Sequence, residues 1–72
     1  MKIILLPMES LKYESNYNVG LISNINNEGC EIEIEQISTQ IHLSLKINGV
    51  LIQIWCTKYT IYKEGQGNGL DD

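Results

Sequence analysis

The sequence has no arginine, alanine or phenylalanine, and only one proline and one histidine among its 72 residues. Binding to nucleic-acid phosphates requires clustered Lys or Arg, and arginine supplies the bidentate fork that suits phosphate and guanine. Here the five lysines are scattered and the net charge is −4. The composition therefore argues against direct nucleic-acid binding. The negative net charge is compatible with a protein partner that has a basic surface. The alternative is that so modest a charge only keeps the protein soluble.

Long hydrophobic runs are also missing. The run Ile3-Ile4-Leu5-Leu6 stops at Pro7, whereas a signal peptide needs roughly 7–15 apolar residues and a membrane span about 20. We therefore expect a cytoplasmic protein that does not contact the membrane. The chain is too short for two domains. We expect a single small β domain over residues 1–63 and a flexible, glycine-rich acidic tail over residues 64–72.

The two cysteines, Cys30 and Cys56, are far apart and form no Cys-x-x-Cys motif. With a single histidine in the chain, this spacing argues against a zinc site, and we expect no metal and no cofactor. Both cysteines occupy apolar positions of alternating segments. We expect them to be reduced thiols that pack in the core as small hydrophobic side chains.

Strict alternation of apolar and polar residues predicts β-strands. It runs through Cys30-Glu31-Ile32-Glu33-Ile34-Glu35 and through Ile41-His42-Leu43-Ser44-Leu45-Lys46-Ile47. Asn26-Asn27-Glu28-Gly29 is predicted to be a turn after a strand near residues 17–25, and weaker strand candidates cover residues 2–6 and 10–14. The fold class we expect is all-β, a small barrel or sandwich of about six short antiparallel strands.

Turn chemistry fixes the register of two hairpins. Asn48-Gly49 is the signature of a type I′ turn, which places Leu45 opposite Ile52 and Leu43 opposite Ile54. A turn at Ser38-Thr39, or a four-residue loop around it, places Ile34 opposite Leu43. The outer face should then bring Glu31 opposite Lys46, so that opposite charges pair across the strands.

These registers place Glu35, His42 and Trp55 in one row on the outer face of three neighbouring strands. A Glu–His pair is able to act as a general base, but no nucleophile stands beside it, so a simple polar pair is the favoured interpretation and no catalytic residue is predicted. The same face should carry Leu51, Gln53 and Thr57, with Tyr59 as a further candidate. An exposed tryptophan among apolar and polar groups is typical of a recognition anchor.

The predicted partner-binding residues are thus an aromatic and apolar anchor with a polar and acidic rim. They are Trp55, Leu51, Gln53, His42, Glu31, Glu33 and Glu35. The alternative for the glutamates is a solvated outer strand face, and for Trp55 it is coverage by another part of the chain.

The stretch from Gly20 to Ile32 resembles the central signature of PilZ domains, Asp/Asn–apolar–Ser–x–x–Gly followed by an apolar strand. Asn24 matches its first position and Gly29 its last, while Asn26 stands where the serine would be. Gly67-Asn68-Gly69-Leu70 follows the last strands, as closing segments do in that family. The resemblance implies a six-stranded barrel. The family holds cyclic di-GMP with an N-terminal Arg-x-x-x-Arg pair, which this chain lacks, so the resemblance implies a degenerate domain that contacts protein.

Three hypotheses of function follow. The first is a non-enzymatic protein-binding module, in one version an inhibitor encoded by a phage or other mobile element that blocks a basic surface of a host protein. The second is a PilZ-like receptor for a small ligand or nucleotide. The third is a homo-oligomeric structural β protein that pairs through its edge strands.

Overall fold

The computed structural model describes residues 1–24 and 28–63, and these form seven antiparallel strands without a helix. Among these residues no helix is long and apolar enough to cross a membrane. The predicted tail over residues 64–72 and the turn residues Asn26 and Asn27 lie outside the described residues. The strands are β1 (Lys2–Leu5), β2 (Glu9–Glu14), β3 (Val19–Ser23), β4 (Cys30–Ile37), β5 (Gln40–Ile47), β6 (Val50–Cys56) and β7 (Lys58–Lys63).

The strands form two sheets, and the predicted all-β class is confirmed. The first sheet has the order β1-β4-β5-β6 and the second the order β3-β2-β7. Within residues 1–24 and 28–63 no strand pairing closes the sheets into a barrel, so the arrangement is sandwich-like. The seventh strand arises because the chain bends at Thr57 and leaves the first sheet for the second.

The β5–β6 hairpin has the predicted register. Leu45 pairs with Ile52, Leu43 with Ile54 and Ile41 with Cys56. Its turn residues, Asn48 and Gly49, have φ angles of 53° and 81°, as a type I′ turn requires. The Asn-Gly pair therefore sets which face of both strands is buried.

The β4–β5 register is also as predicted, with Ile34 opposite Leu43 and a turn in which Ser38 has a φ of 57°. The ion pair of Glu31, however, is made with a lysine other than the one expected. The Glu31 carboxylate lies 3.8 Å from the Lys2 ammonium on β1 rather than pairing with Lys46. Sequence patterning did not identify β1 as the other neighbour of β4, and this lysine was therefore overlooked.

The core lies between the two sheets. Its buried members come from both of them: Leu5, Leu11, Ile32, Ile34, Leu43, Leu45 and Cys56. Both cysteines are free thiols, as expected; Cys56 is fully buried and Cys30 is half-buried at the border of the core. In the second sheet, Leu11 sits between Ile22 and Ile61.

Asn24 is a buried junction between the sheets. Its side-chain amide donates hydrogen bonds to the backbone carbonyls of Leu5 and Glu28, each at 2.8 Å. Its backbone N–H donates to Glu9, and its carbonyl accepts from Met8. Asn24 therefore ties the end of β1 to the start of β2 and to the residues that precede β4.

Candidate protein-binding face

The outward side chains of β4, β5 and β6 form one continuous surface, which we call the Trp55 face. It contains every predicted partner-binding residue: Glu31, Glu33, Glu35, His42, Leu51, Gln53 and Trp55. The strand register places Glu35 opposite His42 and His42 opposite Trp55. Alternation along three paired strands is sufficient to bring these residues to the same side, because successive side chains point to opposite faces.

An aromatic pair lies at the centre of the face. The rings of His42 and Trp55 have centroids 4.5 Å apart and are tilted by 33°. The Nε2 atom of His42 is 3.0 Å from Oε1 of Gln53. Gln53 stands two residues before Trp55 on the same strand, so His42 is held from two positions of β6. This arrangement restrains the imidazole and supports one side of the indole.

Much of the apolar surface at this site remains in contact with water. Trp55 is 51% exposed and Leu51 is 54% exposed, and both belong to β6. This exposed apolar surface lies on the edge strand of the first sheet. The alternative, that another segment covers Trp55, is not met by residues 1–24 or 28–63.

The acidic part of the face is partly neutralised. Lys2 approaches Glu31, and the amino group of Met1 lies 3.7 Å from the carboxylate of Glu33. Within the described part of the chain, Glu35 makes no ion pair. The negative charge that remains available is therefore centred on Glu35, next to the His42–Trp55 pair.

Two further candidates do not belong to the face. Thr57 lies at the bend, where its N–H and hydroxyl both donate to the carbonyl of Glu14. Tyr59 lies on β7 opposite Tyr13 and packs against the core. Because the chain crosses to the second sheet at Thr57, the alternation that begins in β6 does not continue on the same surface.

Glu35 and His42 are cross-strand neighbours, as the register predicted. The hydrogen bond of the imidazole, however, goes to the neutral amide of Gln53. A histidine oriented by an amide lacks the carboxylate support that a general base draws on. Among the residues that the structure describes, no group of three or more His, Cys, Asp or Glu side chains is arranged to hold a metal ion.

An open groove at one end of the sandwich was not anticipated from the sequence. Its volume is about 640 Å³. Residues from both sheets line it, among them Ile22, Asn24, Cys30, Leu45 and Ile47. Asn24 and Gly29, the two matching positions of the PilZ-like stretch, are both at this groove. Burial raises the pKa of the Cys30 thiol, so the thiol at its border favours the neutral form.

Comparison of the chain with protein-family models, with curated proteins and with solved structures found no match.

Proposed function

We propose that this chain is a non-enzymatic protein-binding module that contacts its partner through the Trp55 face. The observation that carries the proposal is the half-exposed Trp55, packed against His42, which Gln53 holds in turn. Aromatic side chains of this kind dominate binding energy at protein interfaces.

Restraint of the anchor favours binding. A side chain that is already ordered loses less conformational entropy when a partner covers it. The His42 ring limits the rotation of Trp55 on one side, and the two-strand hairpin β5–β6 fixes the backbone below both rings. The partner therefore meets an ordered aromatic pair beside the exposed Leu51, with polar and acidic side chains around it.

The charge of the rim suggests the chemistry of the partner. Glu35 has no ion pair within the described residues, and Glu31 and Glu33 keep more than half of their side-chain surface exposed. Acidic rims accelerate association with basic surfaces and suppress acidic competitors. We infer a partner with Lys or Arg around an apolar patch. Inhibition of a host protein by a phage- or mobile-element-encoded chain is a specific form of this proposal.

The proposal is tested with Trp55→Ala beside Tyr62→Ala. Tyr62 is also a partly exposed aromatic residue on a strand, but it lies on the outer face of the second sheet. Both variants and the wild type are used to capture partners from cell lysate, and the captured protein is then titrated by calorimetry. We expect Trp55→Ala to weaken binding by at least about tenfold, whereas Tyr62→Ala binds as the wild type does.

Circular dichroism shows whether each variant keeps its fold. If folded Trp55→Ala retained the affinity of the wild type, the Trp55 face would not be the binding site. Equal losses in both variants would also contradict the assignment.

The open groove makes a small-ligand receptor the second candidate. Its volume falls in the range of ligand sites, about 300–1,000 Å³, and Asn24 and Gly29 of the PilZ-like stretch line it. Titration with cyclic di-GMP tests this candidate directly. No heat at high ligand concentration would count against it, as the lack of arginine already does.

A further inference from the structure

The outer edge of β6 is the least protected sheet edge in the described part of the chain. No strand within residues 1–24 and 28–63 pairs with it. Proteins protect such edges with charged residues, proline or short strands. Of the other edges, β1 is only four residues long and begins with Lys2, β7 carries Lys58 and Lys63, and β3 is uncharged but only five residues long against seven in β6. By contrast, Val50–Cys56 contains no charge and no proline.

The hairpin geometry shows which backbone groups of this edge are free. In a hairpin with a two-residue turn, the two residues that flank the turn donate to and accept from each other through their backbones. Along the two strands, such hydrogen-bonded pairs alternate with pairs whose backbone groups do not bond to each other. Val50 flanks the turn opposite Ile47. Val50, Ile52, Ile54 and Cys56 therefore bond to β5. The N–H and C=O groups of Leu51, Gln53 and Trp55 point away from the sheet.

The apolar residues of β6 are distributed symmetrically about Gln53, with Ile52 and Ile54 next to it and Leu51 and Trp55 beyond them. When two copies of β6 run antiparallel with Gln53 opposite Gln53, each Trp55 lies opposite Leu51 of the other copy. On the inner face, each Ile52 lies opposite Ile54, and both are only partly buried in the single chain. This register joins apolar to apolar side chains on both faces, and it matches the three residues whose backbone groups are free.

We propose that a second copy of this chain pairs with β6 in this register, with a two-fold axis at Gln53. The two first sheets then form one continuous eight-stranded sheet, closed by the exchange of backbone hydrogen bonds at Leu51, Gln53 and Trp55. Isologous pairing of this kind is the most common symmetry of homodimers. The inference does not depend on the proposed partner binding, because it concerns the purified chain alone.

The test uses opposite charges at the axis. Gln53→Lys and Gln53→Glu each place two like charges directly opposite one another, which destabilises the pairing. Gln53→Glu also keeps an oxygen able to accept from His42. Light scattering and sedimentation of the full chain, from roughly 10 μM to 1 mM, should give a dimer for the wild type and a monomer for each variant. An equimolar mixture of the two variants should restore the dimer.

Ser44→Lys is the matched control. Ser44 lies opposite Gln53 on the neighbouring strand, so the substitution adds the same charge as Gln53→Lys but one strand away from the edge. We expect this variant to remain dimeric. A wild-type chain that stays monomeric across the range would overturn the proposal. So would a dimer that persists in folded Gln53→Lys, or a mixture of the two Gln53 variants that stays monomeric.

Discussion

Gly20 illustrates how a single missing side chain shapes the second sheet. It lies on β3 opposite Tyr13, and the Tyr13 ring occupies the space that a Cβ at position 20 would need. An aromatic ring over a glycine on an edge strand restores the packing that glycine lacks. Sequence patterning placed Gly20 within the strand candidate over residues 17–25, but it did not identify Tyr13 as the residue opposite it.

Gly20→Ala should therefore destabilise the protein. The methyl group would displace the Tyr13 ring from its position against the core, and overpacking of this kind costs about 1–3 kcal/mol. Urea denaturation followed by circular dichroism measures the loss in the free energy of unfolding. Leu21→Ala on the same strand is the control, because Leu21 is exposed on the outer face and should change stability by no more than about 0.5 kcal/mol. Equal effects of the two substitutions would refute the packing role of Gly20.

Cys56 gives the protein a dependence on alkaline pH. Burial raises the pKa of its thiol above the ordinary value of 9.0, and a hydrogen bond from the backbone of Lys58 opposes this only in part. The unfolded chain therefore loses the thiol proton at a lower pH than the folded chain does. Stability is retained below pH 9.0 and falls as the pH rises above it, by at most about 1.4 kcal/mol per pH unit.

Denaturation of the wild type and of Cys56→Ala between about pH 8 and 10 measures the contribution of the Cys56 thiol to the pH dependence of the free energy of unfolding. The variant is less stable at every pH because it leaves a cavity, but its stability should fall less steeply above pH 9.0. Parallel curves for the two proteins would show that Cys56 does not contribute. Cys30 remains in both proteins, so the difference isolates the buried thiol.

The β5–β6 hairpin is the element that the sequence predicted most completely. Its turn residues, its alternating pattern and its register in the structure are all as predicted. An Asn-Gly turn between two strands that are each apolar on one face allows a single register that buries both apolar faces. The Glu35–His42–Trp55 row follows from the same register. The contact between His42 and Gln53 does not, because it is diagonal and depends on side-chain rotamers.

Gly49 should stabilise this hairpin only through the backbone conformation that it adopts. Its φ of 81° disfavours any residue with a Cβ, and no atom lies within 4 Å of the position where a Cβ would be added. We expect Gly49→Ala to lower the free energy of unfolding by about 1 kcal/mol. Asn48→Gly keeps a residue tolerant of positive φ and should be nearly neutral. Thermal unfolding of both variants decides the point, and unchanged stability of Gly49→Ala would contradict this assignment.

The boundary between β6 and β7 was harder to predict. Thr57 is neither glycine nor proline, and β-branched and aromatic residues continue on both sides of it. Nothing in the local pattern indicates that the chain changes sheets there. The bend is stabilised by the two hydrogen bonds from Thr57 to Glu14, a residue distant in sequence.

At the scale of the molecule, alternation predicted which side chains face inward but not how the strands divide between two sheets. Local hairpins place β4, β5 and β6 side by side. The positions of β1 and β7 depend instead on pairings with strands far away in the sequence. Such pairings are set by the fit of the whole core, and they explain why Lys2 was not recognised as the partner of Glu31.

The position of β2 between β3 and β7 has a consequence for the order in which the molecule assembles. Three strands of the first sheet are joined by short turns, so they require little loop closure. The second sheet instead pairs Glu9 with Lys63 and must bring together the two ends of the described chain. Contacts of such long range form slowly, because the entropy of closing the chain is lost before they are made. We therefore expect the three consecutive strands β4, β5 and β6 to form first and the second sheet to be completed against them.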